Sequence, residues 1–196
     1  MSRLRVGVLV SGRGSNLQAL IEAAKDPLYP ARVVMVCANR DCAALEVAKK
    51  AGISRQVFRL GAFPDPKARD WEMVRVLRQH GVELVVCAGY DAILERAFTR
   101  EFAGRIINIH PSLLPEFAGT MDAVQMALNA GVAETGCTIH VVTKDVDQGP
   151  ILAQRRVEIL PDDTVESLRE RIQAEEHGLL AEVVRRLAGQ PLPLPS

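Results

Sequence analysis

A strand-like run, RIINI (105–109), brings two polar residues that could do chemistry to its end. Asn108 and His110 are two positions apart, and because side chains at i and i+2 point to the same face of a strand, both aim at one spot. An imidazole can accept or donate a proton near neutral pH. An amide N–H can stabilise a developing oxyanion. The pair is therefore either a reaction site or an ordinary polar strand end.

A carboxylate partner for this histidine is available at Asp147, in the turn KDVDQGP. Asp147 and His110 are far apart in sequence, but each follows an apolar run, and in doubly wound sheets the ligand crevice lies at the carboxyl ends of the strands. A carboxylate beside an imidazole favours the charged ring, which makes Asn108, His110 and Asp147 candidate catalytic residues. Alternatively, DVDQGP is only a tight turn. A serine hydrolase is disfavoured, because there is no G-x-S-x-G elbow and Ser112 lacks a matched base.

A glycine-rich loop, SGRGSNL (11–17), follows the first strand and opens the first helix. Gly12 and Gly14 allow a tight turn, and free N–H groups at a helix N-terminus attract anions. Ser15 and Asn16 could add polar contacts around a single phosphate. The alternative is an ordinary strand-to-helix turn in which Ser15 or Asn16 caps the helix.

Two common nucleotide sites do not fit this loop. The dinucleotide fingerprint needs a third glycine where Leu17 stands and an acid after the second strand, where the chain has Asn39 and Arg40. The Walker pattern fails as well, because no Lys-Ser/Thr pair follows the glycines. We therefore expect no NAD.

The composition is that of one soluble globular domain. The 196 residues carry 24 Lys plus Arg and 24 Asp plus Glu, and a net charge of zero argues against nucleic-acid binding. The cysteines show no CxxC or zinc-ribbon spacing, so we expect buried apolar side chains rather than disulfides or a metal site. The N-terminal apolar run is too short for a signal peptide or a membrane span. We expect a cytoplasmic protein with no membrane partner.

The elements that must position these residues alternate along the first two thirds of the chain. Near-continuous apolar runs alternating with amphipathic stretches predict an α/β fold with a doubly wound, mostly parallel, Rossmann-like sheet. The predicted strands are 5–10, 32–38, 55–60, 83–89 and 105–109, and the predicted helices are 16–25, 43–52 (capped by Gly52), 66–81 and a short one around 93–98.

The last third has a different pattern. Runs 135–143 and 151–159 predict a more exposed, antiparallel strand pair, and a long helix should run from its N-cap Thr164 to Gly189. We expect the apolar stripe of that helix to pack on the domain, with a dimer interface as the alternative. The stripe consists of Val165, Leu168, Ile172, Leu179, Leu180, Val183, Val184 and Leu187. Residues 190–196 form a proline-rich tail with no helix option.

Four segments, in this order and spacing, resemble the phosphoribosylglycinamide formyltransferase family of folate-dependent purine synthesis: SGRGSNLQALI, INIHPSLLP, TGCTIHVVTKDVDQGPILAQ and QAEEH. NIHPSLLP followed by H-x-V-x-x-x-x-D-x-G-P-I is typical of the wider superfamily that uses 10-formyltetrahydrofolate, and SGxGSN favours the glycinamide ribonucleotide branch. The resemblance implies one formyltransferase domain over 1–189. Within it, 1–104 would be the half that binds the ribotide phosphate and 105–189 the catalytic and folate-binding half.

The resemblance also implies roles for individual residues. It matches Asn108, His110 and Asp147 to the catalytic positions and Glu176 to a ribotide contact. It assigns the ribotide phosphate to Gly12, Gly14, Ser15 and Asn16, and the folate to Lys67, Tyr90, Asp91, Ala92, Ile93, Leu94 and Asn108. The chain departs from the family at Asp91 and Ala92, where Met-Arg is common, and in the 117–127 loop, which has Ala118 for a usual proline, Met121 near a common histidine and one extra residue.

The reaction implied is formyl transfer from 10-formyltetrahydrofolate, as co-substrate, to the amine of glycinamide ribonucleotide, without a metal. A monomer or a homodimer would serve. Two other interpretations remain: a hydrolase or another formyltransferase that uses the same folate, and a non-catalytic protein that binds a phosphorylated metabolite through the glycine loop.

Overall fold

A computed structural model describes residues 3–192, and within them the chain forms a seven-stranded sheet in the order β3-β2-β1-β4-β5-β6-β7. Neighbouring strands from β3 to β5 are parallel, whereas the β5–β6 and β6–β7 pairs are antiparallel. This confirms the predicted fold. The strands are β1 Leu4–Val10, β2 Ala31–Ala38, β3 Ser54–Val57, β4 Leu84–Cys87, β5 Ile106–His110, β6 Glu134–Val141 and β7 Ile151–Glu158.

The helices are α1 Ser15–Ala23, α2 Ala43–Lys50, α3 Pro66–Gln79, α4 Arg96–Glu101, α5 Ala123–Ala130 and α6 Val165–Leu187, with a 3₁₀ turn at Leu60–Ala62. The sequence did not predict α5, which has only eight residues and follows a loop. The helix predicted around 93–98 begins later, at Arg96, because side chains of α3 hold the backbone of residues 93–95 in a non-helical path.

Helices cover both faces of the sheet, and the alternation of strand side chains separates two cores. In β1, Val8 and Val10 face the core formed with α1, α2 and α6, whereas Leu9 faces the core formed with α3 and α4. Three of the four free cysteines, Cys37, Cys87 and Cys137, are buried. Because β1, β4 and β5 are parallel neighbours, their carboxyl ends lie together at the same end of the sheet.

The C-terminal elements follow the prediction except in the burial of β6. This strand is buried along nearly its whole length, while β7 is largely exposed, because β6 lies between β5 and β7 and α6 packs against it. The apolar stripe of α6 is buried against the domain apart from the partly buried Val165, which confirms the packing we expected.

The boundaries of α6 were also predictable. Thr164 Oγ1 accepts the N–H of Ser167, and Ser167 Oγ accepts the N–H of Thr164, so a capping box begins the helix. Of the predicted tail, residues 193–196 lie outside the described residues. Between residues 3 and 192, no helix combines the length and apolar character needed to cross a membrane.

Candidate active site

A cleft of about 590 Å³ opens where β1 and β4 lie side by side, with their connections leaving in opposite directions across the sheet. This topological switch point is where doubly wound sheets bind ligands, and the volume suits a small molecule. The cleft draws on both predicted halves of the chain. Its lining includes Gly12 to Asn16, Cys87 to Leu94, Asn108 to Pro111, Gly119 to Met121, His140, Val142 to Asp147, Arg169, Gln173 and Glu176.

The three predicted catalytic residues meet in this cleft. The Nδ1 atom of His110 lies 3.4 Å from Oδ2 of Asp147, and Asn108 Nδ2 donates to Asp147 Oδ1 at 3.4 Å. His110 is buried, and Asn108 is partly buried. Asn108 and His110 do project to one spot from β5, and the loop after β6 supplies the carboxylate to that spot.

A fourth residue of this group, His140, was missed as a site residue. It lies on β6 directly opposite Asn108 of β5. Its Nε2 is 3.1 Å from Asn108 Nδ2 and 3.3 Å from Asp147 Oδ1, while its Nδ1 faces the carbonyl of Val141 at 3.0 Å. The histidine in the quoted motif H-x-V was a signal, but the antiparallel register was needed to place it against Asn108.

The Asp147 carboxylate is held in place by its backbone and by a second loop. Its φ of 54° is unusual for a residue other than glycine, and the N–H of Gly119 donates to its Oδ2 at 2.8 Å. Burial alone would raise the pKa of Asp147, but hydrogen bonds from His140 and Gly119 and the charges of both histidines outweigh it, so the pKa is lowered. Asp147 is therefore an anion at neutral pH.

The other side of the His110 ring meets the loop that departs from the family pattern. Nε2 of His110 lies 2.9 Å from the carbonyl of Phe117. A carbonyl can only accept, so this nitrogen carries a proton. Ser112 is fully buried and donates to the carbonyl of Glu116 at 2.6 Å. It is a structural residue of the loop.

The glycine loop is shaped by its contact with α2. Gly14 adopts a left-handed φ of 83°, and a Cβ there would lie 2.6 Å from Cβ of Ala44, so both conformation and space require glycine. Gly14 is also the N-cap of α1, and no side chain caps this helix. The alternative prediction of a cap by Ser15 or Asn16 is therefore wrong, and the first residues of α1, which line the cleft, have no side-chain cap.

Asn16 instead contacts the predicted ribotide residue. Its Nδ2 donates to Oε2 of Glu176 at 2.8 Å, and its buried Oδ1 has no partner within the described part of the chain. Burial raises the pKa of Glu176, and the hydrogen bond from Asn16 offsets part of that rise. A buried carboxylate and a free amide oxygen at one end of the cleft suit hydroxyl groups of a ligand.

The predicted folate segment, Tyr90 to Leu94, forms another part of the lining. The departure at Asp91 has a structural role: its carboxylate pairs with Arg40 and accepts from Asn39 Nδ2 at 2.8 Å, and its N–H donates to Ser11 Oγ at 3.0 Å. Asp91 therefore ties the ends of β1, β2 and β4 together. Lys67 lies exposed in the first turn of α3, outside the residues that line the cleft, so its folate contact stays a prediction.

Metal ions in proteins are commonly bound by the side chains of His, Cys, Asp and Glu. Within residues 3–192, the His, Cys, Asp and Glu side chains form no group of three or more that could hold a metal ion.

Comparison with known proteins identifies the family to which this doubly wound sheet and its polar group belong. The chain belongs to the formyl transferase family, whose sequence profile matches residues 4–184. It is 44% identical over 184 residues to phosphoribosylglycinamide formyltransferase of Mycobacterium tuberculosis, covering 94% of this chain and 85% of that protein. The crystal structure of glycinamide ribonucleotide transformylase 1 from Symbiobacterium toebii superposes with a TM-score of 0.92 at 43% identity, over 95% of this chain and 88% of the other.

The chain is also similar to one part of a longer protein. The chain is 41% identical over 187 residues to the trifunctional purine biosynthetic protein adenosine-3 of Bos taurus, which covers 95% of this chain. It spans only 18% of the length of that protein, and 14% of the corresponding protein of Drosophila pseudoobscura pseudoobscura. The similarity therefore concerns one part of a larger polypeptide.

Proposed function

We propose that this chain is a phosphoribosylglycinamide formyltransferase, which transfers the formyl group of 10-formyltetrahydrofolate to the amine of glycinamide ribonucleotide in purine synthesis. Membership of the formyl transferase family and the named relatives support this proposal. The observation that carries it is the convergence of Asn108, His110 and His140 on the Asp147 carboxylate, in a cleft that also contains the uncapped end of α1.

In the proposed reaction, the free amine attacks the formyl carbon and a tetrahedral oxyanion forms. The N–H groups of Asn108 and charged His110 donate to that oxygen, and removal of one such donor typically costs about 3–4 kcal/mol. The bond from the formyl carbon to N10 then breaks, and the proton lost by the amine goes to N10. The reaction changes no oxidation state, so it needs no redox cofactor.

Asp147 has two functions in this scheme. At 3.4 Å from His110 Nδ1, its negative charge stabilises a positive charge on that ring. It can also orient a water that carries the proton from the amine to N10. Both nitrogens of His110 already face protein acceptors, so the Phe117 carbonyl has to release Nε2 before this nitrogen can donate to the formyl oxygen.

The remaining contacts complete the proposal. The ribotide phosphate binds at the N–H groups of Gly12 to Asn16, and Glu176 accepts from hydroxyls of the ribotide. The folate lies against Tyr90 to Leu94 and Asn108, so both halves of the 1–189 domain contact both substrates. A cytoplasmic location, and a monomer or homodimer as the working form, remain part of the proposal.

One assay tests the function against its alternatives. Purified protein is given 10-formyltetrahydrofolate with and without glycinamide ribonucleotide, and formation of tetrahydrofolate is followed. We expect turnover only when the amine is present. Turnover without the amine would indicate a hydrolase, and binding of the ribotide without any turnover would indicate a non-catalytic protein.

A further inference from the structure

A buried ion pair lies behind the cleft, on α3. Arg69 and Asp70 are 4% and 0% exposed, and Arg69 Nε donates to Asp70 Oδ1 at 2.7 Å. Among the Arg and Lys ion pairs of residues 3–192, this is the one in which both side chains are less than a tenth exposed. Burying two charges is costly, and a well-packed apolar pair at such a place is often as stable or more stable. The pair therefore needs an explanation other than stability.

Its remaining hydrogen bonds both go to one short stretch of backbone. Arg69 Nη2 donates to the carbonyl of Ile93 at 3.1 Å, and Asp70 Oδ2 accepts the N–H of Glu95 at 2.6 Å. This stretch lies outside any helix or strand, in the connection from β4 to α4, where the Glu95 carbonyl accepts the N–H groups of Phe98 and Thr99 at the start of α4. The ion pair thus supplies, from a regular helix, partners for the Ile93 carbonyl and the Glu95 N–H.

The same stretch carries the wall of the cleft. Ala92, Ile93 and Leu94 line the cleft, and Tyr90 lies at the start of the same connection. Burial raises the pKa of the Tyr90 phenol, and the charge of Arg69 lowers it while that of Asp70 raises it. Neither Arg69 nor Asp70 lines the cleft itself.

We propose that Arg69 and Asp70 are positioning residues for the folate: they fix the backbone of residues 93–95, so that the wall from Tyr90 to Leu94 is formed before the folate binds. This inference rests on the proposed function for the identity of the ligand. Loss of the pair then weakens folate binding selectively, because the glycine loop and Glu176 are held by other contacts, those to α2 and Asn16.

The test is the double variant Arg69→Met/Asp70→Leu, which removes both charges together and leaves neither one buried alone. We expect the KM for 10-formyltetrahydrofolate to rise tenfold or more, while the KM for glycinamide ribonucleotide and kcat change less than threefold. Asp70→Asn, which keeps an oxygen for the Glu95 N–H, should give an intermediate rise. It also serves as the test if the double variant does not fold.

The matched control is Glu72→Gln/Arg75→Met, an ion pair on the same helix that is exposed to solvent. It should leave both KM values unchanged. An unaltered folate KM in the double variant would overturn the inference. So would equal losses in kcat and in both KM values together with a lower Tm, which is the pattern of a general structural defect.

Hydrogen exchange separates this inference from the proposed function, because it needs no substrate. In the double variant, the amide of Glu95 should exchange at least tenfold faster than in the wild type, while amides of β4 stay protected. Unchanged exchange would overturn the positioning role even if the transferase activity is present. Faster exchange in a protein without amine-dependent turnover would reject the proposed function alone.

Discussion

The two ends of the cleft differ in whether their polar groups already have hydrogen-bond partners within the protein. At the catalytic end, Asn108, His110 and His140 are already bonded to protein acceptors or to the Asp147 carboxylate. At the glycine-loop end, α1 has no side-chain cap and the buried Oδ1 of Asn16 has no partner in the described part of the chain. One end holds its polar groups in contacts with the protein, from which the Phe117 carbonyl must release His110 Nε2 before reaction, and the other leaves groups for the bound substrate to satisfy.

This difference implies that changes at the two ends should affect different kinetic constants. Groups that donate to the oxyanion at the reacting atoms contribute to the transition state and so to kcat. Groups that a substrate satisfies on binding contribute to its KM. Variants at each end can separate these effects.

The largest effect is expected for His110→Ala. It removes a donor to the oxyanion and the group that organises proton transfer, so kcat should fall by about 10²–10⁴-fold. The KM for the ribotide should change little, since the contacts of His110 are with Phe117 and Asp147 rather than with the glycine loop. Steady-state kinetics with each substrate varied in turn gives the result, with thermal unfolding to establish that the variant is folded. Near-normal turnover by the folded variant would contradict the catalytic role.

Asp147→Asn tests the charge while keeping the shape. It removes the anion that stabilises a charged His110, and we expect kcat to fall by about 10–10³-fold.

The lowered pKa of Asp147 also predicts an effect on the pH dependence of folding stability. Its contribution is present above the ordinary aspartate pKa of about 3.9 and is lost as the pH falls through the lower folded pKa.

Unfolding by urea from pH 2 to pH 7 measures that contribution. The wild type should lose more stability than Asp147→Asn between about pH 4 and pH 2. Parallel curves for the two proteins would show that the hydrogen bonds from Gly119 and His140 do not depend on the charge of Asp147.

The sequence predicted the parts of the site that follow from local geometry. Alternation along β5 predicted that Asn108 and His110 lie on one face. The rule that ligands bind at the carboxyl ends of parallel strands predicted where the cleft lies. His140 was missed because its contact with Asn108 depends on the antiparallel register of β5 and β6, which local periodicity does not determine. The role of Gly14 likewise needed the approach of Ala44 from another helix.

The helices and strands, like the site residues, were predictable where a local sequence pattern determines them. The long helix α6 was predicted almost to its ends, since its apolar stripe repeats over several turns. The central strands were predicted because each is a near-continuous apolar run. The late start of α4 was not predicted, because residues 93–95 are held by side chains of α3. The α5 helix was missed too, although α2 is equally short and was predicted. Asp91 was noticed as a departure, but its partner Arg40 could be assigned only from the sheet order.

Glu176→Gln probes the glycine-loop end. The amide keeps the shape but loses acceptor strength, so the KM for the ribotide should rise about tenfold, and kcat at saturating substrate should change less.

The raised pKa of Glu176 means that the folded state binds its proton more tightly. The wild type therefore loses stability as the pH rises above the ordinary pKa of glutamate.

Removing the charge should therefore stabilise the protein near pH 7, with a higher Tm for Glu176→Gln than for the wild type. The variant at pH 4, where the wild-type carboxyl is protonated, is the control, and there the two Tm values should converge. A lower Tm for the variant at pH 7 would mean that the hydrogen bond from Asn16 outweighs the cost of burial. A fall in kcat as large as that of His110→Ala would contradict the proposed separation of the two ends.

The smallest effect is expected for Arg40→Met, which breaks the ion pair that joins the ends of β1, β2 and β4 between the two regions. The Arg40 side chain is 53% exposed, and exposed pairs contribute little. Asp91 also keeps its bonds to Asn39 and Ser11. Both KM values should therefore rise less than about fivefold. An increase confined to the folate would place Asp91 with the wall held by Arg69 and Asp70, whereas equal increases would mean that it couples the wall to the glycine loop.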